Sequence, residues 1–135
     1  MKKDIKPSKV KDVAVAVIKE QNELGQDIWN VYLINQKTET IENVLVSAKG
    51  YLTDVKGIET KTSSLRHSIG NIEANNYAQI EPIMEDVFGL HNEYWISFFH
   101  NNEMLDKKYI FLAETIAAKN LINVPIINKS GVMIK

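Results

Sequence analysis

The sequence predicts an all-β protein, a sandwich of about seven antiparallel strands with an extended C-terminal tail. Three observations lead there. Apolar residues alternate at period two along most of the chain, and no helical period is sustained. Turn-forming residues recur at spacings of roughly ten residues, the rhythm of short strands joined by tight connections. The 135 residues, 44% hydrophobic and 24% charged, suffice for one domain with its own core.

Taken in order, "DVAVAVIKE" points Val13, Val15 and Val17 one way and Ala14, Ala16 and Ile18 the other. Both faces are apolar, so this strand is expected to be covered on both sides. "QNELGQ" turns the chain at Asn22 and Gly25. In "DIWNVYLIN", Trp29, Val31 and Leu33 take the core face, with Asn30 and Tyr32 opposite. "TIENVLVSAKG" sets Val44, Val46 and Ala48 on one face. Ile41 and Leu45 fall out of phase, which suggests a bulge or a half-covered outer face. "YLTDVK", between Gly50 and Gly57, reads as a short exposed strand.

"KTSSLRHSIG" (61–70) reads as the next strand and ends at "GN". "NNYAQIEPIM" follows, with Ala78 and Ile80 inward and Pro82 marking an edge or a terminus. "EDVFGL" is a connector. "NEYWISFFH" is the most aromatic strand, with Tyr94, Ile96 and Phe98 against Trp95, Ser97 and Phe99. "NNEMLD" closes a hairpin into "KKYIFLAE", and "TIAAKNL" has room for one helical turn. The passage from the strand ending at Asn35 to "IGNIEANNYAQI" matches the middle of an immunoglobulin-like or fibronectin-III-like sandwich. An open barrel or an α+β layout is the alternative. The expected core is Val15, Trp29, Val31, Leu33, Val44, Val46, Ile80, Ile110 or Phe111, and one face of 94–99.

This gives a flexible basic arm over 1–11, a sandwich over 12–114 and a tail over 115–135. The tail segment "NLINVPIINKSGVMIK" is too apolar for a solvated terminus. Pro125, Gly131 and many β-branched residues argue against an amphipathic helix. It is expected to lie extended on the aromatic outer face of 94–99, or on the same face of a second subunit.

Composition limits the function. Net charge is −1, from 16 basic and 17 acidic residues, which argues against a nucleic-acid backbone as main partner. The absence of cysteine removes disulfides, thiol catalysis and cysteine-based metal sites. The apolar run Val13 to Ile18 is too short for a secretory signal, and nothing approaches the roughly 20 apolar residues of a membrane helix. A cytoplasmic protein with no membrane contact is expected. Nucleotide chemistry would use a glycine-rich loop or acidic metal ligands, and "TSSLRH" has neither. A G-x-S-x-G elbow is missing. His91 and His100 stand at opposite ends of one strand, roughly 30 Å apart at 3.3 Å per residue, and His91 with Glu93 supplies only two ligands. No cofactor, metal or catalytic set is expected. The chain reads as a non-catalytic binding or interaction module.

Two groups are candidates for binding. Arg66 is the only arginine in the chain. In a strand it shares a face with Ser64 and Ser68, and the three could hold an anion or a partner. The plainer reading pairs Arg66 with a carboxylate of a neighbouring strand. His67 faces the other way, with Leu65 and Ile69, as a half-buried histidine. The second group is an aromatic surface patch from Tyr94, Trp95, Phe98 and Phe99, suited to a protein partner or a homodimer. Glu81, Glu85 and Asp86 read as solvated charges guarding a strand edge. Lys2, Lys3, Lys6, Lys9 and Lys11 could touch an acidic partner.

Seven segments, "MKKDIK", "VKDV", "WNVYLIN", "IENVLVSAKGY", "KTSSLRHSIG", "DKKYIF" and "GVMIK", carry a resemblance. Together they are similar, essentially end to end, to a family of small bacterial proteins of about this length. Its members often bear the label "phenylalanyl-tRNA synthetase subunit". The resemblance implies a tRNA- or RNA-associated accessory protein.

Overall fold

In a computed structural model, residues 9–135 are described. They form β1 (Val13–Gln21), β2 (Asp27–Asn35), β3 (Ile41–Thr53), β4 (Glu59–Lys61), β5 (Leu65–Ile72), β6 (Asn76–Ile83), β7 (His91–His100), β8 (Glu103–Phe111), β9 (Ile122–Val124) and β10 (Lys129–Ile134). The first sheet runs β6-β2-β1-β10-β9. The second runs β4-β3-β7-β8, and β5 also pairs with β3. All pairings are antiparallel. The all-β class and the two-sheet layout therefore hold, with ten strands among the described residues instead of seven. The added strands are the short β4 and the two near the C-terminus.

Local chemistry sets the turns. Asn22 Oδ1 accepts from the backbone N–H groups of Leu24 (2.9 Å) and Gln26 (3.0 Å), and Gly25 takes φ +76°. This closes β1 on β2 in a register running from Val13↔Asn35 to Gln21↔Asp27. Asn101 and Asn102, at φ 51° and 60°, form the two-residue link between β7 and β8. Paired positive φ values match the twist of a tight hairpin, and Asn tolerates them. Asn43, at φ 51°, bulges out of β3, where its N–H donates to Asn71 Oδ1 (3.0 Å). The bulge brings Ile41 back into the core beside Val44 and leaves Leu45 outside. β3 continues through Gly50 to Thr53, so the separate exposed strand expected there is its end followed by a turn at Asp54.

The inter-sheet core contains Val15, Trp29, Val31, Leu33, Val44, Val46, Ile80, Tyr94, Ile96, Phe98 and Phe111. Ile110 points outward. Trp29 packs edge-on to Phe88, with ring centroids 5.2 Å apart, and its Nε1 donates to Glu85 (3.0 Å). A second buried cluster lies on the other face of the first sheet, where Ala14, Ala16, Ile18, Tyr32 and Ile34 meet Val124 and Ile127. β1 is thus covered on both sides, as its two apolar faces require.

The C-terminal residues do not lie on strand 94–99. They run as β10 against β1, from Val15↔Ile134 to Ile18↔Gly131, and as β9 outside it. The reason is backbone pairing. A sheet face offers only burial, whereas a free strand edge also satisfies N–H and C=O groups. Lys129 of β10 adds an ion pair to Glu20 of β1 (2.6 Å), and Glu20 also accepts from Tyr32 Oη (2.6 Å) and Asn30 Nδ2 (2.9 Å). Partial burial alone would raise the Glu20 pKa. The hydrogen bonds from Lys129, Tyr32 and Asn30 outweigh it and hold the carboxyl below its ordinary value.

Of the proposed basic arm over 1–11, residues 1–8 lie outside the described residues, including Lys2, Lys3 and Lys6. Val10 is buried in the main core, and Lys9 pairs with Glu103 at 3.1 Å in solvent.

Candidate functional site

The outward face of the second sheet is assembled by strand register. Across β5, β3, β7 and β8, one row reads Arg66, Ser47, Trp95, Lys108. The next reads Ser68, Leu45, Ser97, Asp106. Beyond it, Phe99 stands opposite Met104. Outward positions of an antiparallel sheet normally carry polar side chains. Here Leu45 (51%), Trp95 (45%), Phe99 (40%) and Met104 (61%) are exposed together. Leu45, Trp95 and Met104 border an open trough of about 820 Å³ whose lining also includes Ser47, Arg66, Ser68, Ser97 and Asp106.

Trp95 is held in place although it is exposed. Its Nε1 donates to Asp106 Oδ2 (2.8 Å), and the Lys108 ammonium sits 4.8 Å from the ring centroid. Arg66 projects from the same row into solvent. Among the described residues its side chain makes no hydrogen bond or ion pair, so it is not the structural pair the plainer reading expected.

The structure thus joins parts of the two groups singled out in the sequence. Arg66 and Ser68 stand beside Trp95, while Ser64 precedes β5 and does not line the trough. Tyr94 and Phe98 do not belong to any surface patch. They are 2% and 1% exposed and lie in the main core. Alternation forces this division, because one face of β7 fills the sandwich and the other must leave it. Sequence reasoning missed Leu45 and Met104. The phase break at Leu45 was the available signal.

A polar clamp occupies the open side between the two sheets. His67 Nε2 on β5 meets Glu81 Oε1 on β6 at 2.7 Å, and Tyr94 Oη donates to Glu81 Oε2 at 3.3 Å. Glu81 is therefore not the solvated edge charge expected of it. Its side chain is 15% exposed and ties β6 to β5 and β7. Burial, and then the Glu81 charge, push the Tyr94 hydroxyl pKa up, so it stays a proton donor.

A cleft of about 390 Å³ opens beside the clamp, lined by Thr62, Ser63, Glu81 and Asp86 among others. Among the described residues no serine side chain is hydrogen-bonded to a histidine. His91 Nδ1 accepts from the Ala113 N–H (2.9 Å), and His100 Nε2 meets Glu39 at 3.0 Å. Each histidine joins two chain segments. Glu93, also buried, is held by Tyr51 Oη (3.2 Å) and Lys49 (3.8 Å). No three His, Asp or Glu side chains among the described residues converge to hold a metal ion. No helix among them is long and apolar enough to cross a membrane.

Set against family models, curated proteins and solved structures, the chain finds no match.

Proposed function

We propose that this protein is a non-catalytic β-sandwich interaction module that docks a partner on the outward face of its second sheet. One observation carries the reading: the contiguous exposure of Leu45, Trp95, Phe99 and Met104 over three adjacent strands. Together they present apolar surface on the order of 400 Å², the size of the largest patch on a typical monomer, which is often functional. The opposite sheet has its outer face occupied by residues of the same chain. Trp95 and Arg66 are of the residue types that dominate binding energy at interfaces. Because Asp106 and Lys108 already fix the indole, little conformational freedom is lost when it is covered.

The finer architecture we read as immunoglobulin- or fibronectin-III-like. The order β1-β2-β6 in one sheet and β3-β7-β8 in the other follows the A-B-E and C-F-G order of those sandwiches. β10 and β9 then extend the first sheet past its β1 edge.

The test is a photo-crosslinking residue at Met104, with Leu24 in the distant β1–β2 turn as control. A discrete adduct from position 104, absent from position 24 and lost when Trp95→Ser is added, is the expected result. Equal labelling from both positions, or none from either, refutes the reading. An RNA-associated role has one observation in its favour, the cations Arg66 and Lys108 flanking Trp95 in a single row. Total tRNA retards the protein on a native gel at low salt if that role holds, and unchanged mobility sinks it.

A further inference from the structure

We infer that this face takes a short, extended acidic peptide, which sets an aromatic side chain between Trp95 and Arg66 and a carboxylate on Arg66. The inference rests on the docking role proposed above and names what is docked. The first argument is shape. Ser47 is the small member of its row, with Arg66 on one side and Trp95 on the other. Their strands are two spacings apart, about 10 Å. A planar group touching both walls needs about 7 to 8 Å, and the long Arg66 side chain can close the difference. Lys108, on the β8 side of Trp95, covers the other face of the indole, and the bond to Asp106 holds the ring. The ring face toward Ser47 is left for a ligand.

The second argument is spacing. The slot over Ser47 belongs to the trough of about 820 Å³. Past Ser97 a smaller recess of about 200 Å³ continues it, between Leu45, Phe99 and Met104. Ser47 and Ser97 stand diagonally across β3 and β7, about 7 to 8 Å apart. Residues i and i+2 of an extended chain lie on one face about 6.6 Å apart. One such segment fills both depressions, with an aromatic side chain over Ser47 and an aliphatic one over Ser97. The trough has the volume of a ligand pocket, roughly 300–1,000 Å³, which suits a segment and not a whole domain face.

The third argument is charge. Arg66 is exposed and has no side-chain partner among the described residues, whereas Asp106 is already engaged, by Trp95 and by a further contact. A guanidinium without a carboxylate of its own accepts one in a two-pronged bond. Lys108 adds positive charge behind the indole. The hydroxyls of Ser47, Ser68 and Ser97, also without a partner among the described residues, are available to a peptide backbone. A nucleic-acid strand would bring successive phosphates toward Asp106. A peptide brings a single carboxylate to Arg66 and apolar side chains to the rest.

Calorimetric titration with blocked pentapeptides tests this. The probe carries aspartate, phenylalanine and leucine at its first, third and fifth positions, with serine between them. It should bind at least about tenfold tighter than the same peptide with asparagine for aspartate. It should also bind at least about tenfold tighter than the peptide with alanine for phenylalanine. Arg66→Gln should make the aspartate and asparagine peptides equal, Ser47→Leu should abolish binding by filling the slot, and Leu24→Ser should change nothing. Both trough positions face outward, so melting temperatures should stay near that of the parent protein and show that the variants are folded. Equal binding of the aspartate and asparagine peptides to the parent, or binding that survives Ser47→Leu, overturns the inference. The Met104 crosslink separates this result from the docking role. If the peptide does not bind but Met104 gives a discrete adduct lost with Trp95→Ser, the peptide falls and docking on this face survives. An adduct of two chain masses then names a second copy as the occupant, and retardation by tRNA names a nucleic acid. If the peptide does not bind and Met104 gives no adduct, both fall.

Discussion

Replacing Gly131 by alanine tests whether the C-terminal strand is an integral part of the first sheet. Gly131 lies in β10, opposite Ile18 of β1 and Ile122 of β9. An added Cβ would stand 2.6 Å from Ile18 Cδ1 and 2.7 Å from the Val17 carbonyl oxygen. The isoleucine methyl can rotate aside. The carbonyl oxygen is backbone of a central strand and cannot, so β10 has to move away from β1 along its paired register. Overpacking of this kind costs about 1–3 kcal/mol. Gly131 does not have a positive φ, so alanine adds no backbone strain and returns about 0.5–1 kcal/mol of chain entropy. The net loss is about 1–2 kcal/mol. For a domain of this length that lowers the melting temperature by roughly 4–8 °C, within reach of calorimetry. Gly89→Ala is the control. Its added Cβ would lie 3.4 Å from a Glu114 carboxylate oxygen, an ordinary contact, and stability should move by less than about 0.5 kcal/mol. If Gly131→Ala melts at or above the parent temperature, β10 does not lie against β1 as described and the account of the C-terminal residues is wrong.

Trp29→Ala removes a core indole, its bond to Glu85 and its edge contact with Phe88, and should cost about 3–5 kcal/mol in urea unfolding. An unchanged midpoint would mean that the side chain does not pack between the sheets. The Glu20 carboxyl is held below its ordinary value of 4.5 in the folded protein. Its contribution to stability is therefore complete above that value and is lost as pH falls through the lower folded pKa. Glu20→Gln should lose less stability over that acid range than the parent does; equal acid slopes in thermal melts would show that the Lys129–Glu20–Tyr32 contacts contribute nothing.

Features set by a residue's immediate neighbours could be read from the sequence. The two apolar faces of Val13 to Ile18 announced a strand buried on both sides, and the Trp29, Val31, Leu33 face announced the core. The phase break at Ile41 and Leu45 pointed to the bulge that Asn43 provides. What depends on pairing between distant segments was hidden. Alternation separates Tyr94 and Phe98 from Trp95 and Phe99 but does not say which pair faces solvent. Arg66 and Trp95 share a row only because β3 lies between their strands in one register, and a slip of one residue would send them to opposite faces. Glu81 looked solvated because its partners, His67 and Tyr94, sit on two other strands. The turn into β10 broke the usual turn chemistry. Ile126, a β-branched residue, adopts φ +72°, and the Ile127 N–H closes on the Pro125 carbonyl at 2.8 Å. Nothing in "VPIINK" signals that conformation. Ile126 packs against the buried cluster of Ile18 and Ile34, and that packing offsets the strain.

The neighbour relation between β1 and β10 also bears on how the protein is made. β1 leaves the ribosome well before its partner on one edge, which follows more than a hundred residues later. Until residues 129–134 arrive, β1 presents an unpaired edge along "VAVAVI", a six-residue stretch with strong strand propensity and no charge or proline to block it. Contacts of such sequence separation are slow to form. The hairpin with β2 can close early, because its two strands are separated by a short turn. The half-built sheet must then wait with one adhesive side exposed. Synthesis speed and chaperone capture during that interval should govern the soluble yield more strongly than the stability of the finished fold.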